Sequence, residues 1–214
     1  MASVFAQSAT NIGGSCVEFD QTVYIAAQGW GDADPKKRKG ALTTGKGFAD
    51  GVCMGLSILW VGCRGDWSIF NQMLKSPGGL AHIRGMMNFQ SVFREGGNQS
   101  MGTIEKDHEI HAMMLRTLGR VATGRKRGAF NALAAEGIAS FCSQNEGLHL
   151  ICFGGGGQAH AIAALCQGSS LVLFDPNYGA ATFDKQHALL FVNWLLTNFY
   201  PTLSQYWMVS HYVY

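Results

Sequence analysis

Cys53, His160 and Asp175 follow one another along the chain, and each sits in a local sequence suited to one part of a cysteine-nucleophile centre. The stretch from Gly51 to Trp60 reads as a helix that begins at or just before the cysteine, with Val52, Leu56, Leu59 and Trp60 near one face. A thiol at a helix N-terminus meets unpaired backbone N–H groups and the positive end of the helix dipole. Both favour the thiolate, which is the form that attacks a carbonyl. His160 opens one apolar run and Asp175 closes the next, with the turn Gln167-Gly168-Ser169-Ser170 between them. In an antiparallel pair the two side chains come together. The carboxylate then accepts a hydrogen bond from one ring nitrogen and leaves the other for the thiol.

The elements that must position these groups follow from the same pattern. Residues 1 to about 45 are polar and rich in Gly, Ser, Thr and Asp, and read as a loosely structured lead-in with a strand at Thr22 to Ala27; residues 46–214 read as the catalytic domain. A second helix is expected around Trp67 to Leu74, stopped by Ser76-Pro77-Gly78-Gly79. A third is expected from an Asp107 N-cap through Ile110, Met114, Leu118 and Val121, and a fourth through Phe130, Leu133, Ala134 and Phe141. Strands follow at Leu148 to Phe153, His160 to Cys166 and Leu171 to Asp175. Asp184 then caps a helix that turns Leu189, Val192, Leu196 and Phe199 inward, and Gln205 to Tyr214 closes the fold as a strand.

Composition sets the limits. With 214 residues, 47% apolar and 14% charged, the chain buries one sizeable core. A net charge of +2 leaves no broad basic face, which argues against nucleic acid as a partner. The short clusters Lys36-Lys37-Arg38-Lys39 and Arg125-Lys126-Arg127 read as solvated loops. No stretch of about 18 apolar residues is present, so no membrane-spanning helix is expected. The start Met1-Ala2-Ser3-Val4-Phe5 lacks the basic and apolar segments of a conventional secretory signal. Six cysteines in a chain of this size read as free thiols rather than a disulfide framework, with Cys142, Cys152 and Cys166 as small buried side chains.

Other motifs give less. The zinc-protease helix needs histidines four positions apart, whereas His108 and His111 in His108-Glu109-Ile110-His111 are three apart and read as exposed helix residues, so no metal and no cofactor is expected. The run Gly154 to Gly157 lacks the context of a phosphate loop. Taken singly, the three reactive residues also have structural readings, as a packed cysteine, a core histidine and a turn aspartate.

Three patches together resemble a known family. Gly51-Val52-Cys53-Met54-Gly55-Leu56-Ser57 with Trp60, His160-Ala161-Ile162-Ala163-Ala164, and Phe174-Asp175-Pro176-Asn177-Tyr178-Gly179 are similar to the YopT/AvrPphB-type bacterial effector cysteine proteases, peptidase family C58. The resemblance implies an α+β, papain-like fold with the nucleophile helix packed on an antiparallel sheet. It assigns the nucleophile to Cys53, the general base to His160 and the orienting acid to Asp175. It further implies an effector or toxin that leaves the bacterium through a specialised secretion system and cleaves a protein in the cytosol of a target cell. Family substrates include small GTPases and kinases, and a secretion chaperone or immunity protein fits the same setting. One departure stands out. Papain-like enzymes commonly place an amide side chain a few residues before the cysteine, but Lys46-Gly47-Phe48-Ala49-Asp50 contains neither Asn nor Gln. The oxyanion then needs the Cys53 backbone N–H and a donor brought from elsewhere, with Gln28 and Asn88 as candidates. The same triad also suits an acyltransferase, transglutaminase or deamidase, and the missing amide suits a catalytically silent binding module.

Overall fold

The computed structural model describes residues 3–29, 52–94, 101–129, 134–155, 158–203 and 205–213. The elements are α1 (Val4–Asn11), β1 (Ser15–Glu18), α2 (Gln21–Ala27), α3 (Cys53–Gly62), α4 (Trp67–Lys75), α5 (Pro77–Arg94), α6 (Met101–Thr117), β2 (Val121–Ala129), α7 (Ala134–Gln144), β3 (Gly147–Gly155), β4 (Gln158–Gln167), β5 (Ser170–Asp175), β6 (Gly179–Asp184), α8 (Ala188–Phe199) and β7 (Tyr206–Val213). The strands form one seven-stranded sheet in the order β1-β6-β5-β4-β3-β7-β2, every neighbouring pair antiparallel. Mixed helix and antiparallel sheet is the architecture expected above.

Helices cover both faces, so the inner strands read as nearly continuous apolar runs even though successive side chains part to opposite sides. Leu148, Leu150 and Cys152 of β3 enter one core with α3, while Ile151 and Phe153 enter the other with α7 and α8. The α3 helix lies deepest. Leu56, Ile58, Leu59, Trp60 and Val61 are each 1% exposed or less, which explains why it is apolar on every side. Ser57, one turn after the cysteine, donates its hydroxyl to the Ala161 carbonyl at 3.0 Å and so pins α3 to β4.

Several sequence expectations are corrected. Thr22 to Ala27 is helix α2 rather than a strand: the Asp20 carboxylate accepts from Thr22 N–H and caps it, and that local bond outweighs the β-branched run. Residues expected to be loose are packed, with Phe5 and Ala9 of α1 fully buried. Ser76-Pro77-Gly78-Gly79 ends α4 but also starts α5, because proline suits the first helical position and the Ser76 hydroxyl accepts from Gly79 N–H at 3.0 Å. Asp107 lies inside α6 rather than capping it, and Val121 begins β2. Arg125-Lys126-Arg127 occupies the exposed edge strand β2 rather than a loop, where long cations discourage pairing with another chain. The Lys36 to Lys39 cluster, Phe130, Leu133 and the boundary expected near residue 45 lie outside the described residues. The six cysteines are free thiols. No described helix is long and apolar enough to cross a membrane.

His111 is a further correction. It is 3% exposed rather than on the surface, and His108 places its Nδ1 2.6 Å from the Ser210 hydroxyl. The described residues hold no group of three or more His, Cys, Asp or Glu placed to share a metal. Burial, with the charge of His108 next, drives His111 down to about 3; burial, with His211 next, does the same to His149, which is fully buried and stacks on His211 at 5.0 Å. Unfolded histidines take up a proton near pH 6.5, whereas these two do not until far lower. Stability therefore falls as pH drops below about 6.5, each residue adding up to about 1.4 kcal/mol per pH unit. Urea midpoints at pH 7, 6 and 5 are expected to decline steadily, and His149→Leu is expected to flatten the decline. An unchanged slope in that variant would exclude His149 as a source.

Candidate active site

The centre is assembled where the N-terminus of α3 meets the adjoining ends of β4 and β5. Val52 is the N-cap position of α3 and Cys53 its first residue, so the backbone N–H groups there have no partner within the helix. The register Ala163↔Phe174 places His160 two residues beyond the position facing Asp175, on the same side of the sheet. That diagonal separation lets the His160 ring reach back to the carboxylate, with Nε2 and Asp175 Oδ1 3.0 Å apart. The remaining ring nitrogen serves Cys53, which is hydrogen-bonded to His160 and to the Ala161 backbone N–H. The structure thus brings together all three residues singled out in the sequence. Cys53 is partly exposed, His160 is 6% exposed and Asp175 is fully enclosed.

The electrostatics of the pair follow from burial opposed by charge. Burial alone would raise the Cys53 thiol, but the His160 charge and hydrogen bond outweigh it and hold the thiol below its ordinary value. Burial alone would lower His160, but the Asp175 carboxylate and then Cys53 hold the imidazole well above its ordinary value. The favoured state is a thiolate beside an imidazolium. Burial pushes the thiols of Cys16 and Cys63 up to about 11, and raises those of Cys142 and Cys166 as well. Cys53 stands apart from them in the direction of its shift.

Two residues at this centre were missed in the sequence. Tyr200, at the C-terminal end of α8, stacks on His160 with ring centroids 4.6 Å apart, and its hydroxyl donates to Asp175 Oδ2 at 2.7 Å. Gln21, in the first turn of α2, accepts from Val52 N–H at 3.0 Å and donates to the Asn177 side-chain oxygen. Of the two amides proposed from sequence, Gln28 caps the opposite end of α2, and the side chain of Asn88 lies outside the described part. Gln21 reaches the site because the turn after β5 cradles its helix. Gln21 N–H donates to the Pro176 carbonyl at 2.8 Å and Phe19 N–H to the Tyr178 carbonyl at 3.3 Å. Gly179 permits this approach: its φ is +117°, and a Cβ there would stand 2.0 Å from the Val17 carbonyl oxygen.

The fold is similar to that of a solved bacterial protein. The structure of the Pseudomonas avirulence protein AvrPphB matches with a TM-score of 0.57 at 21% identity, over 76% of this chain and 91% of that one. PatoxP, a cysteine protease-like domain of the Photorhabdus asymbiotica toxin PaTox, matches with a TM-score of 0.45 at 16% identity, over 97% of this chain and 56% of that one. Among curated proteins, none matches the sequence. The profile of the C58 peptidase family, described as Yersinia/Haemophilus virulence surface antigen, matches residues 2–208, and the chain belongs to that family. It is a family of cysteine-protease-like bacterial effectors and toxins, which implies a protein substrate.

Proposed function

We propose that the chain is a thiol endopeptidase that cleaves a protein of a target cell, with Cys53 as nucleophile, His160 as general base and acid, and Asp175 as the group that orients His160. The observation that carries this reading is the continuous chain from a buried carboxylate through an imidazole to a thiol at a helix start, with Nε2 to Oδ1 at 3.0 Å. The Cys53 thiolate adds to the substrate carbonyl, and the oxygen of the tetrahedral intermediate takes its negative charge beside the Cys53 backbone N–H, which has no partner within α3. The His160 imidazolium gives its proton to the departing amine, leaving a thioester. Water, deprotonated by His160, then attacks the thioester, releases the acid and restores the thiolate beside the imidazolium. Delivery by a specialised secretion system, action in the target-cell cytosol and a small GTPase or kinase as substrate belong to the same proposal, on the strength of the family.

The test is N-terminal proteomics on eukaryotic cell lysate treated with the wild-type protein or with Cys53→Ala. Peptides with new N-termini that depend on Cys53 are the expected result and would reveal the cleavage motif. Mass shifts on glutamine without chain cleavage would replace hydrolysis by deamidation or acyl transfer at the same thiol. No change of either kind from folded wild type would leave a papain-like binding module.

A further inference from the structure

We propose that Tyr200 is a positioning residue of this centre, whose hydroxyl locks the Asp175 carboxylate and the His160 ring into the one arrangement that keeps the thiol activated. The inference rests on the thiol-protease reading above and adds to it a fourth side chain from a different helix.

Two of the three contacts at the Tyr200 oxygen have a fixed direction. The hydroxyl donates to Asp175 Oδ2 at 2.7 Å, accepts from the Asn177 side-chain amide at 3.0 Å and lies 2.9 Å from His160 Nε2. Asp175 Oδ1 meanwhile serves His160 Nε2 at 3.0 Å and Asn177 N–H at 2.9 Å. The imidazolium N–H therefore faces two acceptors, and both oxygens of the fully buried carboxylate are occupied. Burial and the Asp175 charge hold the phenol far above its ordinary range, so it remains a proton donor at any working pH. Its ring, stacked on His160 and edge-on to Phe153 at 5.0 Å, keeps water from the Asp175–His160 bond.

The contacts continue beyond the tyrosine. Asn177, which donates to Tyr200, accepts from Gln21, and Gln21 accepts from the N–H of Val52, next to the nucleophile. One line of hydrogen bonds thus runs from the carboxylate to the start of α3 by a path separate from the imidazole. It fixes the sheet-borne base and the helix-borne thiol relative to each other. A tyrosine whose only duty was packing would need the ring and not this set of directed bonds.

Tyr200→Phe removes the hydroxyl and keeps the ring. One oxygen of the buried carboxylate is then left without a donor and the carboxylate is no longer held square to the His160 ring, so the bond that supports the imidazolium loosens and Cys53 reverts toward the thiol. The probe is iodoacetamide, applied from pH 5 to 9, with mass spectrometry locating the label on Cys53 and a thermal melt run in parallel. Tyr200→Phe is expected to move the pH midpoint of Cys53 alkylation up by about one unit, while Tyr200→Leu, which also loses the stack, moves it further. A wild-type pH profile in a folded Tyr200→Phe protein would overturn the positioning role and leave the protease reading standing, since a purely structural loss shifts the melt and not the profile. If wild-type Cys53 reacts at pH 6 no faster than an ordinary thiol, and His160→Ala changes nothing, the protease reading and this inference fall together.

Discussion

His160→Ala is expected to slow alkylation of Cys53 at pH 6 by at least two orders of magnitude. In the wild type the thiol is held below its ordinary value because the imidazolium charge and hydrogen bond outweigh burial. Without the ring, burial and the Asp175 charge raise the pKa of the sulfur, and only the Ala161 backbone N–H bond opposes them. A thiol with a pKa of about 8.5 or higher is thiolate to less than about 1% at pH 6. The wild-type profile should reach its midpoint at a lower pH than the variant's. Hydrolysis should fall further than alkylation, about a thousandfold or more, because the variant also lacks the acid that protonates the leaving amine. Equal alkylation rates at pH 6 would mean that the imidazole does not activate the sulfur, whatever the distances suggest.

The three residues that meet at the candidate site were legible because each sits beside a local signal: a helix start at Cys53, a strand start at His160 and a turn sequence after Asp175. The strands that carry the last two were legible too, since tight antiparallel hairpins are read from neighbouring residues. Gln21 and Tyr200 gave no such signal. Gln21 is brought to Val52 by a turn more than 150 positions later, and Tyr200 reaches His160 only through the packing of α8 on the sheet. A network built from long-range contacts leaves no periodicity behind. The elements misread fail for related reasons. In α2 one capping carboxylate overrides the β-branched and aromatic run Thr22-Val23-Tyr24-Ile25, and in β2 the polar exposure of an edge strand mimics a loop. His111 passed for a surface residue because its burial depends on how α6 packs, which its own neighbours in sequence do not record.

Trp60→Ala is expected to destabilise the protein by about 3–5 kcal/mol, among the largest losses available to a single substitution here. The indole is fully buried and lies flat on Phe174, with centroids 5.6 Å apart and planes within 8°, and Phe174 also meets Phe70 at 5.1 Å. Phe174 immediately precedes Asp175, and its side chain points to the opposite face of β5. The aromatic cluster therefore braces from below the strand end that presents the carboxylate above. Removing the indole opens a cavity that rigid sheet backbone on one side and α3 itself on the other cannot close. The melting temperature should fall by about 10 °C or more for a domain of this size, with urea unfolding giving the free energy. Trp60→Phe should lose far less, because it keeps the stacked ring and because the indole N–H has no hydrogen-bond partner among the described residues. Equal losses for the two variants would show that the indole's size, not its stacking on Phe174, is what the core requires. Below its melting transition Trp60→Phe should keep the wild-type pH profile of Cys53 alkylation, since it keeps an aromatic ring against Phe174 and leaves the hydrogen bonds at Cys53, His160 and Asp175 in place.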